Sequence, residues 1–133
     1  MYRLQVKTHF DAAHYIKDYQ GKCSRMHGHR WEVEVVLEGG ELDKMNILID
    51  FGVVKGMLET LVGKLDHYVL NEVLQEHNVT AEFLAKWFYK EFYQLYQLLI
   101  SDSAGWVEFR GMHLTRVTIW ESPDCCVKYF GEE

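Results

Sequence analysis

The sequence predicts an α+β fold in which a four-stranded antiparallel sheet carries two helices on one face. Two segments near the start of the chain and two near its end alternate apolar and polar residues, which is typical of half-buried strands. Two longer segments between them repeat apolar residues at helical spacing. The order β-β-α-α-β-β favours an antiparallel sheet with its helices grouped together, because parallel neighbours would need crossover helices between them.

The first two strands are predicted from this alternation. The first covers residues 2–10, with its even-numbered residues on one face. Residues 15–26 are polar and indicate a loop. The second strand begins near Trp31 and ends at the Gly39-Gly40 turn. If the two strands pair antiparallel, the end of the first lies beside the start of the second.

Two helices and two further strands follow. Asp50 can cap a helix over residues 51–65, and Thr80 can cap a second helix that ends at about Ile100. Residues 68–79, between the helices, form a loop or a short helix.

The last strands cover residues 113–121 and 125–130, joined by a turn at Pro123. Residues 106–110 could form another strand or part of a long hairpin. The sheet face without helices and the edge strands would be exposed in a monomer, so we expect oligomerisation through the sheet.

Length and composition indicate a single domain over residues 1–133. The formal net charge of −6 at pH 7 argues against nucleic acid as the main partner. No apolar run is long enough to cross a bilayer, and the first residues lack the apolar region of a signal peptide. We therefore expect a cytoplasmic protein without a membrane partner. The number of cysteines is odd, which does not suggest a disulfide framework, and we expect Cys125 and Cys126 to be small core residues.

Three histidines indicate a metal site. His27 and His29 flank Gly28, so on extended backbone both imidazoles project from the same face. His14 lies just past the predicted end of the first strand, where antiparallel pairing would bring it to the other two. Three imidazoles leave one position of a tetrahedral Zn²⁺ open, which is the pattern of catalytic zinc sites. The spacing therefore predicts a metal site with His14 as the third ligand beside His27 and His29, although isolated histidines more often have surface or core roles.

The role of Cys23 stays open on spacing alone. It could be a fourth zinc ligand, a base or nucleophile whose pKa a nearby cation lowers, or an inert loop residue. Asp66 and His67 have two interpretations as well. They are either a charge pair at a helix end or a carboxylate that orients an imidazole for proton transfer.

Glu121 is in phase with the apolar face of its strand, where a carboxylate is unusual unless it is paired. It would suit a planar N–C–N donor group, such as the guanidine-like edge of a pterin or a guanine. The alternative is a buried ion pair with Arg116 or Arg110.

Several motifs occur in a fixed order along the chain: Phe-Asp-Ala-Ala-His, Cys-x-x-x-His-Gly-His, Asp-Phe-Gly, Leu-Asp-His, Asn-x-Thr-x-Glu and a final-strand Glu-Ser. In this combination the chain closely resembles the 6-pyruvoyl-tetrahydropterin synthase superfamily over essentially its whole length. The short gap between Cys23 and His27 is like that of the bacterial 6-carboxy-5,6,7,8-tetrahydropterin synthase branch of queuosine biosynthesis. One departure is Val79, where many relatives have Pro.

The resemblance implies the tunnelling fold, in which subunits join into a trimeric barrel, trimers stack into hexamers, and sites lie at subunit interfaces. It also implies a role for each candidate residue. The metal ligands would be His14, His27 and His29. The catalytic residues would be Cys23, as general base, and the acid/base dyad Asp66 and His67. The substrate-binding residues would be Glu121, Thr80 and Glu82.

The implied reaction converts 7,8-dihydroneopterin triphosphate to 6-carboxy-5,6,7,8-tetrahydropterin, with release of acetaldehyde and triphosphate. The nearest alternative is the pyruvoyl-forming reaction, which eliminates triphosphate without cleaving the side chain. An alternative of another class is a non-catalytic metal-binding module with Cys23 as the fourth ligand.

Overall fold

A computed structural model describes residues 1–102 and 111–132. Within these residues the predicted order of strands and long helices is confirmed, and residues 68–79 contain the short helix that was one of the two predicted alternatives. The elements are β1 (Tyr2–His14), a 3₁₀ turn (Lys22–Ser24), β2 (His27–Gly39), α1 (Phe51–Gly63), α2 (Leu70–Val73), α3 (Ala81–Asp102), β3 (His113–Ser122) and β4 (Cys125–Tyr129). The possible strand at 106–110 lies outside the described residues.

The four strands form one antiparallel sheet in the order β1-β2-β3-β4. β1 and β2 pair over their whole lengths, from Tyr2 opposite Gly39 to His14 opposite His27. The predicted first strand is therefore too short, and His14 is the last residue of β1 instead of lying past its end. Ala12 and Ala13 give no strand signal of their own, but β2 supplies the hydrogen-bond partners that keep this segment extended.

The helices cover one face of the sheet, with α1 against β1 and α3 against β3 and β4. Both predicted caps are confirmed. The Asp50 side chain accepts a hydrogen bond from the Gly52 N–H at 2.6 Å, and the Thr80 hydroxyl accepts one from the Phe83 N–H at 3.0 Å. α1 ends at Gly63, before the predicted end at residue 65, because the chain there tightens into a turn.

The core lies between the sheet and these helices. Phe10 of β1 stacks on Trp31 of β2 with ring centroids 6.3 Å apart, and it contacts Phe88 of α3 at 5.8 Å. All three side chains are almost fully buried. This aromatic cluster therefore holds β1 and β2 together and packs them against α3. It lies next to the strand ends that carry the histidines.

β3 departs from strict alternation of its side chains near its start. Opposite Val36 and Leu37 the register shifts, and Thr115 is the extra residue of a β-bulge. Leu114, not Thr115, is therefore buried on the face that Val117 shares.

Cys125 and Cys126 are exposed, although we expected core positions. They begin the edge strand β4, whose contacts with the core come from Val127 and Tyr129. Among the described helices, none combines the length and the apolar character that a membrane span requires.

Candidate metal centre

Strand register brings the three candidate histidines together. His14 pairs directly with His27 across the β1–β2 ladder, and Ala12 pairs with His29. Because side chains alternate between faces, His14, His27 and His29 all point to the helix-covered face. Their ring centroids lie 4.5 Å apart for His14 and His27, 4.9 Å for His27 and His29, and 5.3 Å for His14 and His29.

Trp31 closes the inner side of this cluster. Its ring is fully buried and meets His14 at 4.9 Å and His29 at 5.3 Å, edge to face in both cases. The indole N–H donates to the Ala12 carbonyl at 3.2 Å, so the polar atom of the ring is satisfied. The histidines therefore sit directly on the end of the apolar core, where the side chains behind them are rigid.

Backbone carbonyls fix which nitrogen of two imidazoles is free. Nδ1 of His14 lies 2.7 Å from the Val79 carbonyl, and Nδ1 of His27 lies 2.6 Å from the Arg25 carbonyl. Since a carbonyl only accepts, each Nδ1 carries the proton and each Nε2 keeps its lone pair. This pattern is typical of metal-binding histidines, whose second nitrogen is held by a backbone or carboxylate acceptor.

The free nitrogens lack partners. Nε2 of His14 and Nε2 of His29 are buried and make no hydrogen bond to any part of the chain that the structure describes. A buried polar atom without a partner costs free energy, so two such atoms in one cluster need an explanation. A divalent metal bound by the Nε2 atoms would satisfy them, and the residues therefore fit such an ion.

Burial also keeps these imidazoles in the ligand form. Burial lowers the pKa of His14 below its ordinary value, and this effect outweighs the hydrogen bond to the Val79 carbonyl, which raises it. Burial likewise lowers the pKa of His29, although Glu121 acts in the opposite direction. Both rings are therefore neutral at pH 7, which is the form that coordinates metal.

Glu121 joins this cluster from β3. Its Oε1 atom lies 3.3 Å from Nε2 of His29. Ligand atoms of His14, His27, His29 and Glu121 all lie within 4.8 Å of one another. The proposed ion pair with Arg116 is wrong, because that guanidinium lies beside Glu34, 3.6 Å away. Arg110 lies outside the described residues.

Cys23 is not part of this group of mutually close ligand atoms. It lies in the 3₁₀ turn between the strands, is partly buried, and its carbonyl accepts the Ile16 N–H at 2.8 Å. Among the described residues, the groups of ligand atoms within 4.8 Å of one another include no cysteine. The geometry therefore argues against Cys23 as a fourth ligand in this conformation.

Asp66 and His67 form a close pair, with Oδ2 of Asp66 3.0 Å from Nδ1 of His67. The backbone of Asp11 holds both residues. Its N–H donates to Oδ1 of Asp66 at 2.9 Å, and its carbonyl accepts the His67 N–H at 2.6 Å. The Asp11 hydrogen bond is the main cause that lowers the pKa of Asp66. His67 has a φ of 64°, which a residue other than glycine adopts only when its surroundings enforce it.

Sequence reasoning missed Asp11 and its neighbour Arg30. The Arg30 guanidinium lies 3.2 Å from the Asp11 carboxylate. Both residues line an open cleft of about 470 Å³, to which His29 and His67 also contribute. The only available signal was the Asp of the Phe-Asp-Ala-Ala-His motif. The cleft therefore borders both the histidine cluster and the Asp66–His67 pair.

Thr80 and Glu82 lie at the start of α3. The Thr80 hydroxyl is engaged as the helix cap, and Glu82 is an exposed residue of the first turn. The preceding residue, Val79, contacts His14 through its carbonyl. The N-terminus of α3 therefore adjoins the histidine cluster.

Comparison with known proteins identifies the family of this chain. The family model described as 6-pyruvoyl tetrahydropterin synthase matches residues 3–132. The 6-carboxy-5,6,7,8-tetrahydropterin synthase of Synechocystis sp. is 34% identical over 94 residues, covering 67% of this chain and 73% of the relative. The protein of the same name from Rickettsia conorii is 26% identical over 147 residues, covering 96% of this chain and 99% of the relative.

The fold has solved counterparts. The Caenorhabditis elegans 6-pyruvoyl tetrahydropterin synthase structure matches with a TM-score of 0.77 at 22% identity, covering 98% of this chain and 96% of that chain. One structure from Plasmodium vivax with the same activity in its name gives a TM-score of 0.73 at 17% identity, with 96% of each chain covered. At these identities the likeness shows a common fold. Since the family model spans nearly all of the sequence, the resemblance is confirmed, and the chain belongs to the 6-pyruvoyl tetrahydropterin synthase family.

Proposed function

We propose that this single-domain chain is a zinc-dependent lyase that converts 7,8-dihydroneopterin triphosphate to 6-carboxy-5,6,7,8-tetrahydropterin. The reaction would release acetaldehyde and triphosphate and would serve queuosine or 7-deazaguanine biosynthesis in the cytoplasm. The observation that supports it most is the cluster of three imidazoles with buried, unpartnered Nε2 atoms on His14 and His29. The relatives from Synechocystis and Rickettsia, both named for the carboxy-forming reaction, support the choice of product.

The proposed ligands are the Nε2 atoms of His14, His27 and His29. When bound, zinc would act as a Lewis acid toward the hydroxyl groups of the substrate side chain. The protein contributes orientation, because the carbonyls of Val79 and Arg25 hold two of the rings and Trp31 holds two of them from behind. Such outer contacts decide how well a site keeps its metal.

Proton transfer is assigned to Cys23 and to the Asp66–His67 dyad. Cys23 would remove the proton from the side-chain carbon, and His67 would return protons during the rearrangement. The carboxylate of Asp66 would hold Nδ1 of His67, which leaves Nε2 free to face the substrate. The open cleft that His29 and His67 both line supports a role for the dyad next to the histidine cluster.

Binding of the pterin ring is assigned to Glu121, with Thr80 and Glu82 as further binding residues. A carboxylate can accept two parallel hydrogen bonds from the N–C–N edge of the ring. Glu121 is about one third exposed, so its carboxylate is accessible from the site.

The assembly is proposed to be a homotrimer or a homohexamer with sites at subunit interfaces. The two edge strands β1 and β4 and the charged face of the sheet support this proposal. That face carries ion pairs between the strands, such as Arg3 with Glu38 at 2.8 Å. No nucleic acid or membrane partner is proposed.

Product analysis tests the function directly. Zinc-loaded protein is incubated with 7,8-dihydroneopterin triphosphate, and the products are identified by mass spectrometry together with an acetaldehyde assay. We expect 6-carboxy-5,6,7,8-tetrahydropterin and acetaldehyde in equal amounts. A pyruvoyl product without acetaldehyde would establish the alternative reaction. Bound zinc without any turnover would favour the non-catalytic module.

A further inference from the structure

The contact between Glu121 and His29 is not an ordinary hydrogen bond. Oε1 of Glu121 lies 3.3 Å from Nε2 of His29, yet that nitrogen makes no hydrogen bond within the described part of the chain. The two atoms are close but not aligned as donor and acceptor.

The same distance fits two ligands of one metal. Zinc binds histidine nitrogen and carboxylate oxygen at about 2.0–2.2 Å, so neighbouring ligand atoms of a tetrahedral site lie roughly 3.3–3.5 Å apart. The Glu121–His29 distance matches such a tetrahedral edge. His14 and His27 complete a set of ligand atoms that lie within 4.8 Å of one another, which a bound ion would draw closer.

The charge balance of the cluster points the same way. Glu121 adds a carboxylate to a cluster of three imidazoles. Among the described ion pairs, Glu121 has His29 as its counterpart, whereas Arg116 pairs with Glu34 on the other face of the sheet. A divalent cation would supply the positive charge that the carboxylate needs.

We propose that Glu121 is the fourth ligand of the metal in the resting protein and that a pterin displaces it from the metal. This inference extends the proposed function, in which Glu121 binds only the pterin. The displacement of Glu121 by a pterin rests on that function, whereas the ligand assignment does not. A glutamate side chain at the end of a strand can change rotamer without moving the backbone. The exchange would keep the metal site closed until the ligand arrives and would then free the carboxylate for the N–C–N edge of the ring.

The test measures metal binding directly, through zinc affinity and through the spectrum of bound Co²⁺. Metal is removed from the full chain with a chelator, and zinc affinity is measured by competition for the wild type and for Glu121→Gln. The same proteins are loaded with Co²⁺, whose visible spectrum reports its ligands. Glu32→Gln is the matched control, because Glu32 is a carboxylate of β2 that pairs with Lys7 instead of the histidines. Circular dichroism of the metal-free variants checks that each is folded.

We expect Glu121→Gln to weaken zinc binding by about tenfold or more, since even residues outside the ligand set are worth about 10–100-fold. Its Co²⁺ spectrum should differ from that of the wild type, while Glu32→Gln matches the wild type in both measurements. Neopterin added to the Co²⁺ wild type should change the spectrum, and it should change that of Glu121→Gln less.

Equal zinc affinity and identical Co²⁺ spectra for wild type and Glu121→Gln would overturn the ligand assignment. A spectrum of the wild type that neopterin does not alter would overturn the exchange. None of these measurements requires turnover. Normal product formation with unchanged spectra would therefore reject this inference alone, and a changed spectrum without any product would reject the proposed function alone.

Discussion

The histidine cluster and the Asp66–His67 pair border the same cleft but are built in opposite ways. His14 is 1% exposed and stands on the core, whereas the His67 side chain is 78% exposed. The first group is held by strand register and aromatic packing. The second is held by two backbone hydrogen bonds to Asp11 and a left-handed residue. Packing therefore holds the three rings in fixed positions that suit a metal, while a hydrogen-bonded turn presents the Asp66–His67 pair to solvent.

The largest expected effect comes from removing one proposed ligand of the buried histidine cluster. His27→Ala removes one of three proposed zinc ligands and should cost roughly 3–5 kcal/mol of metal affinity, about a third of the 10–16 kcal/mol typical of structural zinc. Secondary structure should persist, because the core behind Trp31 is unchanged. Elemental analysis and chelator competition measure the loss. His9→Ala, an exposed β1 residue on the other face, is the control. Full zinc content in His27→Ala would refute the ligand assignment.

The next effect separates metal binding from proton transfer. Cys23→Ala should retain near-normal zinc and lose about 10²–10⁴-fold in turnover, the usual contribution of a general base. The basis is the position of Cys23 outside the group of mutually close ligand atoms among the described residues. Elemental analysis and turnover are measured on one preparation. Zinc lost in proportion to activity would restore Cys23 as a ligand.

A smaller effect concerns pterin recognition. Glu121→Gln keeps the shape of the side chain but removes its charge, so neopterin affinity should weaken by about 1.5–3 kcal/mol, the scale of hydrogen bonds to charged groups. Calorimetry on metal-free protein keeps any change in metal coordination out of the comparison. Glu32→Gln serves again as the control. Unchanged affinity would remove Glu121 from the pterin site.

The smallest expected effect concerns the exposed Asp66–His67 pair and the pH dependence of protein stability. The pKa of Asp66 is lowered from its ordinary value of 3.8, chiefly by the Asp11 N–H. Its contribution to stability is therefore present above the unfolded pKa and is lost as pH falls through the folded pKa. In urea unfolding of metal-free protein, Asp66→Asn should be less stable than wild type at pH 7, and the difference should shrink below pH 3.8.

Asp124→Asn, an exposed change in the β3–β4 turn, controls for loss of charge alone. A stability difference between wild type and Asp66→Asn that stays constant with pH would show that the Asp11 hydrogen bond does not depend on the charge of Asp66.

The sequence by itself determined the order of the elements and most of the histidine cluster. Alternation and helical spacing are local signals, so they identify strands and helices without knowledge of their partners. The caps at Asp50 and Thr80 depend on hydrogen bonds within one turn and are confirmed. The His-Gly-His spacing fixed two rings on one face, because alternation along a strand needs no tertiary information.

Only the tertiary structure decided the length of β1, the bulge, the exposure of the two last cysteines and the contacts of Glu121 and Asp66. Each of these features depends on residues far away in the chain. The length of β1 and the bulge at Thr115 follow from pairing with β2. The exposure of Cys125 and Cys126 follows from the edge position of β4. Glu121 meets His29 because β3 pairs with β2, and Asp66 meets Asp11 because a turn after α1 returns to β1. Local patterns carry no information about such register and long-range contacts, so these contacts became visible only in the folded chain.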